Sequence, residues 1–158
     1  APFVWYMAQP WPEAAWMAGG VLALAIATDL LDGPLARRAG AATAAGGAFD
    51  HSTDFLFVES GLIAGAWRGA WTWVLPGLVC AAFAQYAMDS YFIHRAGALR
   101  GNRLGRLNGI LYFVPLAADI VARVGAGWLA PALSPLAWLL VVSTLVSMAL
   151  RLRATLAR

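Results

Sequence analysis

Asp29-Leu30-Leu31-Asp32-Gly33-Pro34-Leu35-Ala36-Arg37, then eight residues, then Gly46-Gly47-Ala48-Phe49-Asp50-His51-Ser52-Thr53-Asp54, is the stretch whose reading decides the fold. Four carboxylates fall within twenty-six residues of a chain that is 61% hydrophobic overall. Residues three, four and seven apart share one face of an α-helix. Asp29, Asp32, Gly33 and Ala36 therefore form one stripe, and Gly46, Asp50 and Asp54 form a second on the next helix. The short link 38–45 lets the second helix run back antiparallel to the first, so that the stripes face each other.

Carboxylates brought that close repel one another unless a cation lies between them. Oxygen-only ligands favour hard divalent ions, so the spacing points to Mg2+ or Mn2+. An aspartate inside a membrane helix costs on the order of 3 kcal/mol to insert, which makes four of them a large penalty unless they line a polar, ligand-filled cavity.

At these residues the sequence resembles the CDP-alcohol phosphotransferases, whose signature is D-x2-D-G-x2-A-R-x8-G-x3-D-x3-D. Asp29, Asp32, Gly33, Ala36, Arg37, Gly46, Asp50 and Asp54 match all of its fixed positions, with every gap the right length. The motif covers about a sixth of the 158 residues, and the membrane topology extends the resemblance over most of the rest.

Composition agrees with lipid as the solvent. Only 12% of residues are charged and the mean hydropathy is +0.69, as expected of an all-α integral membrane protein. The net charge of +3 and the isoelectric point near 9.6 do not imply nucleic acid, because every basic residue is Arg and most flank apolar segments. Cys80 is the sole cysteine and lies in an apolar run, which excludes an intrachain disulfide or a Cys-based metal site. With no repeat or long polar linker, residues 1–158 read as one domain.

Five spans are expected, over about 14–31, 49–67, 71–92, 107–124 and 128–150. Pro76, Pro115, Pro131 and Pro135 kink these helices or mark their first turns. Gly19, Gly20, Gly61, Gly65, Ala81 and Ala82 permit close helix contact in a compact bundle. Arg37, Arg38, Arg95, Arg100, Arg103, Arg106, Arg151, Arg153 and Arg158 fall on one side, against Arg68 and Arg123 on the other. The positive-inside rule makes the motif side cytoplasmic, and Trp11, Trp16, Trp67, Trp71, Trp73 and Trp128 form an aromatic belt opposite. Five spans leave residue 1 outside, whereas members of the resembled family usually have six helices and both termini in the cytoplasm. Residues 1–8 are accordingly expected to be the tail of a first helix, with an interfacial cap as the alternative. The expected setting is a bacterial inner membrane, and the expected assembly a homodimer among membrane lipids.

The resemblance implies a division of labour. Asp29, Asp32 and Asp50 hold the divalent ions, expected to be two, that bridge the donor's diphosphate; Asp54 is the general base toward an acceptor hydroxyl and also a metal ligand. Gly33 and Ala36 leave room for the cytidine nucleotide, Arg37 assists with its phosphate charge, and Gly46 completes the CDP-binding set with Asp29 and Asp32. The implied reaction moves a phosphatidyl-type group from a CDP-linked lipid such as CDP-diacylglycerol to a small alcohol, releasing CMP.

The acceptor is less constrained. Arg95, Arg100, Arg103 and Arg106, followed by Asn108 and Tyr112, read either as a phosphate pocket or as membrane-flanking charge. Arg103 and Arg106 are the pair nearest the helix mouth. If they grip phosphate, a phosphorylated acceptor such as glycerol 3-phosphate is favoured; inositol phosphate, serine or another alcohol are the alternatives. Asp89 is a candidate to join the site. Glu59 and Asp119 lie away from it and suit hydrogen bonding between helices or subunits, His51 reads as a residue behind the ligands or on the surface, and His94 as interfacial. A divalent-cation carrier is the competing class, but its acidic groups would continue through the outer half, where only Glu59 and Asp119 stand. A catalytically silent lipid-binding relative is disfavoured by the intact carboxylates.

Overall fold

The computed structural model describes residues 2–38, 44–89 and 103–156, with the side chains of 32–38, 44–45, 48, 103 and 156 outside that description. The described residues are all helix and turn, with no strand among them. In chain order the helices are α1 (Pro2–Ala8), α2 (Pro12–Arg38), α3 (Ala44–Trp67), α4 (Val74–Met88), α5 (Arg103–Leu111), α6 (Phe113–Val124) and α7 (Ala130–Leu156), the last preceded by a 3-10 turn at Gly127–Leu129. Three stretches are long and apolar enough to cross a membrane, Pro12–Leu31, Leu104–Val124 and Gly127–Thr155, and α4 is a shorter apolar helix.

Local chemistry explains where these elements begin and end. Pro2 and Pro12 open α1 and α2, positions at which a missing N–H is no loss and the fixed φ suits a helix. Pro76 and Pro131 lie in the first turns of α4 and α7, and Pro135 is within α7. Pro115 has no N–H to give the carbonyl of Leu111, and the expected fourth span is accordingly two helices meeting at Tyr112, which itself stays near helical values at φ −67° and ψ −18°. α3 closes with a Schellman arrangement. Gly69, at φ +82°, donates to the Ala66 carbonyl at 3.0 Å while Ala70 donates to Gly65 at 2.9 Å.

The bundle packs α2 against α1 and α6, α3 against α1, α4 and α6, and α7 against α4, α5 and α6. Its core holds Phe3, Met7, Leu62, Leu75, Leu116 and Ile120. Two glycines of α3 set the closest approaches. A Cβ on Gly61 would sit 2.7 Å from the Phe3 ring, and one on Gly65 would sit 2.1 Å from the Trp71 indole. Gly19 is a milder case, 3.3 Å from Ile120, whereas Gly20 faces open space.

Trp71 departs from the aromatic belt expected of it. It is buried against Gly65, its Nε1 donating to the Leu62 carbonyl at 2.9 Å, because the glycine leaves a slot for the indole. Trp11, Trp16, Trp67, Trp73 and Trp128 are exposed, and Trp5 joins them.

At the same end the two arginines outside the positive-inside pattern have a structural task. Asp119, 1% exposed, pairs with Arg68 Nη2 at 2.5 Å and with Arg123 Nε at 3.2 Å. Arg68 Nε also donates to the Met7 carbonyl at 3.2 Å, and Arg123 Nη1 donates to that of Gln9 at 2.8 Å. These carbonyls lie at and just beyond the C-terminal end of α1, where helix carbonyls lack partners and carry partial negative charge. One buried carboxylate thus holds α3 and α6 together while its two arginines fasten α1. Asp119 is a contact between helices, one of the two roles expected of it.

Candidate active site

The motif divides between two helices, as its spacing requires. Asp29 lies toward the C-terminal end of α2, and the helix runs on through Asp32, Gly33, Ala36 and Arg37, whose side chains are outside the description. Gly46, Asp50 and Asp54 occupy the N-terminal turns of α3. Asp29 and Asp50 are exposed and Asp54 is half-buried. The Asp54 carboxylate feels the charges of Asp29, Asp50 and His51, which brings the α2 carboxylate within electrostatic reach of those on α3.

On α3 itself, Asp50, His51 and Asp54 each offer a ligand atom, and those atoms lie within 4.8 Å of one another. Two ligands sharing an ion at about 2.1 Å each stand no more than roughly 4.2 Å apart. Side-chain adjustment of a fraction of an ångström therefore lets these groups meet on one ion, and the donor set suits a divalent cation. His51, read from sequence as lying behind the ligands or on the surface, is exposed and also offers a ring nitrogen to this group. The hundred-degree step from Asp50 sets the direction of its Cβ, but His51 and Asp54 are three apart, a spacing at which side chains on one helix meet.

Beside this group stands an aromatic wall from α4. Phe83 stacks on Phe55 with ring centroids 3.9 Å apart, Tyr86 lies 6.2 Å from Phe83, and the His51 ring lies 6.3 Å from Tyr86. The Arg151 guanidinium of α7 sits 4.7 Å over the Tyr86 ring, a cation–π distance. Tyr86 also feels the charge of Arg106, which is exposed on α5. Elements far apart in sequence thereby set the Arg151 guanidinium over the aromatic residue beside His51, with the charge of Arg106 acting on it from α5.

Sequence reasoning does not single out Arg151 or Tyr86, which the structure brings together near His51: Arg151 reads only as flanking charge, and a single tyrosine in an apolar span carries no signal. Of the expected acceptor pair, Arg106 falls in this cluster. Arg103 begins α5 with its side chain outside the description, and His94, Arg95 and Arg100 lie outside the described residues altogether. Asp89 follows α4, its N–H donating to the carbonyls of Gln85 and Tyr86.

Deeper in the membrane, polar groups join α5 and α6 to α7. Thr144 gives its proton to the Leu140 carbonyl at 2.7 Å, so in the 2.7 Å contact with Tyr112 the phenol is the donor. Ser143 donates to Asn108 Oδ1 at 2.6 Å. These bonds hold Asn108, and with it the α5 segment bearing Arg106, against the helix bearing Arg151. Glu59 is buried on α3 with Oε2 lacking a hydrogen-bond partner.

Comparison with known proteins is consistent with this geometry. The family model described as CDP-alcohol phosphatidyltransferase matches residues 1–149, a range that contains every motif position. Neither the curated proteins nor the solved structures give a match. Members of this family are membrane-bound and generally depend on divalent cations, properties that agree with the apolar helices and with the Asp50–His51–Asp54 group. A match over that share of the sequence places the chain in the CDP-alcohol phosphatidyltransferase family, enzymes that transfer a phosphatidyl group from a CDP-alcohol to an alcohol.

Proposed function

We propose that this protein transfers a phosphatidyl-type group from CDP-diacylglycerol to a phosphorylated alcohol such as glycerol 3-phosphate, releasing CMP, at the cytoplasmic face of a bacterial inner membrane. The observation that carries this reading is the complete motif divided over α2 and α3, with Asp50 and Asp54 in one group of ligand atoms and Asp29 of α2 within electrostatic reach of Asp54. The cytoplasmic assignment rests on the arginines of the motif end and the exposed tryptophans of the other.

In this mechanism Asp29, Asp32, Asp50 and Asp54 would hold the divalent ions, expected to be two, which would supply charge neutralisation for the diphosphate and the departing CMP. Gly33 and Ala36 keep the α2 face low enough for the nucleotide, Gly46 completes its cradle, and Arg37 meets phosphate charge. Asp54 takes the proton of the acceptor hydroxyl as that oxygen attacks the phosphorus bearing the diacylglycerol. The phosphorus–oxygen bond to CMP breaks, and the products are a phosphodiester and CMP. Positioning and charge neutralisation carry most of such a displacement, and the chain supplies both at a helix pair.

The preference for a phosphorylated acceptor is supported by Arg151 over the Tyr86 ring and by Arg106, exposed on α5 within electrostatic reach of that ring, with Arg103 one turn before it. Guanidinium forks match phosphate oxygens. The experiment is release of labelled CMP by purified protein given CDP-diacylglycerol and a panel of acceptors, with and without excess chelator. Turnover with glycerol 3-phosphate that stops on chelation and returns with Mg2+ or Mn2+ is the expected result. Turnover only with an unphosphorylated alcohol overturns the acceptor assignment, and full turnover in chelator overturns the metal role.

A further inference from the structure

We infer that His51 is a direct nitrogen ligand of the divalent ion and that it makes this site select Mn2+ over Mg2+. The inference rests on the proposed reading of the carboxylates as a metal site and goes beyond it, because the matched signature leaves the residue after Asp50 free. The third donor is therefore a property of this chain.

The geometry carries the assignment. The His51 ring contributes an atom to the group that includes one oxygen each from Asp50 and Asp54, all within 4.8 Å of one another. His51 is exposed, and its ring nitrogen lies beside the two carboxylate oxygens, where an ion entering from solvent can reach all three. The ring is also backed, by Tyr86 at 6.3 Å with the planes 38° apart, and Tyr86 is capped in turn by Arg151. Tyr86 borders the imidazole on the side toward α4. A ligand whose orientation is set by its neighbours loses less freedom on binding metal.

The selectivity follows from donor chemistry. Mg2+ is hard, sheds water reluctantly and prefers oxygen throughout its shell, whereas imidazole is a good ligand for first-row ions. Two carboxylates and one imidazole form a mixed site that Mn2+ accepts readily and Mg2+ gains little from. With His51 absent, the same carboxylates form an all-oxygen site that distinguishes the two ions poorly.

The test is Mn2+ binding to the purified full chain in lipid nanodiscs, followed by pulsed EPR for nitrogen coupling and by competition with Mg2+. Bound Mn2+ should show 14N modulation that changes when histidine is labelled with 15N. The chain has 2 histidines, so His94→Gln serves as the control that keeps the signal. His51→Gln should abolish it and lower Mn2+ affinity by about tenfold or more while Mg2+ affinity changes far less. Mn2+ bound by the wild type without nitrogen coupling overturns the assignment and leaves the carboxylate site standing. Failure of the wild type to bind Mn2+ at all overturns the metal reading and this inference with it.

Discussion

Arg151, on the last helix, holds its guanidinium 4.7 Å above the ring of Tyr86, on α4. Tyr86 lies beside His51, so the pair brings positive charge to the flank of the carboxylate group without placing it among the carboxylates. An acceptor phosphate held there would be spared contact with the negative charge of Asp50 and Asp54. Arg151→Ala and Arg106→Ala should each raise the acceptor's KM about tenfold to a hundredfold, the 1.5–3 kcal/mol of a charged hydrogen bond, and leave the CDP-lipid's KM nearly unchanged. Arg153→Ala, two residues on and exposed, should do neither. Steady-state kinetics in both substrates checks this, and equal effects from all three variants would show a general charge patch.

Tyr86 separates placement of Arg151 from direct chemistry. Tyr86→Phe keeps the ring under the guanidinium and should leave acceptor KM within a few fold. Tyr86→Ala removes the platform, worth about 0.5–2 kcal/mol, and should raise KM in the direction of Arg151→Ala. The combined Tyr86→Ala/Arg151→Ala variant should then be less than additive, which a double-mutant cycle measures.

The carboxylates divide by role. Asp54→Asn should lower turnover by about a hundredfold to ten-thousandfold, the usual worth of a positioned general base, with CDP-lipid affinity retained within a few fold. Asp29→Asn and Asp50→Asn should weaken metal and donor binding as well. Equilibrium binding of a CDP-lipid in the presence of Mn2+ distinguishes the groups, and equal loss of donor affinity in all three would show that Asp54 belongs with the metal ligands alone.

Asp119 is a stability element far from the chemistry. Removing one partner from a buried ion cluster leaves charge unpaired and costs about 3–5 kcal/mol. Asp119→Ala should therefore lower the melting temperature of the purified protein by on the order of 10 °C, with α1 released first. Arg68→Ala should have a similar direction and a smaller size, because Arg123 still pairs with the carboxylate. Thermal unfolding and proteolysis near Met7 check both, and unchanged melting in Asp119→Ala would show that the cluster does not fasten α1.

Gly65→Ala tests the slot for Trp71. The new methyl would overlap the indole at 2.1 Å, and the ring, held by its bond to Leu62, must leave its place. Overpacking of this kind costs about 1–3 kcal/mol, whereas Gly20→Ala, facing open space, should be neutral or slightly stabilising. Comparison of the two melting temperatures decides it.

The sequence by itself determined the membrane class, most helix positions to within several residues, and the division of the motif between two successive helices; of the five expected spans, three are long and apolar enough to cross a membrane among the described residues, since α3 carries Asp50, Asp54 and Glu59 and α4 is short. Those properties are periodic and local, and helical period, span length and carboxylate spacing are legible in one dimension. The position of arginines at span ends is legible in the same way, because it follows from the cost of burying charge in lipid. Only the tertiary structure decided which residues meet across helices. His51 is one step from Asp50 in sequence, and its place among the ligand atoms depends on side-chain reach and on Tyr86 behind it. Arg151 looked like any flanking arginine until α7 packed on α4 and set it over that same ring. Trp71 looked like a belt residue until Gly65 opened a slot for it, and Arg68 and Arg123 looked like stray charge until Asp119 came between them. Asp119 and Arg123 are an i,i+4 pair that helical spacing allows, but His51 with Tyr86, Arg68 with Asp119 and Tyr86 with Arg151 join positions 35 to 65 residues apart, and no spacing rule along one chain encodes the partner that packing supplies.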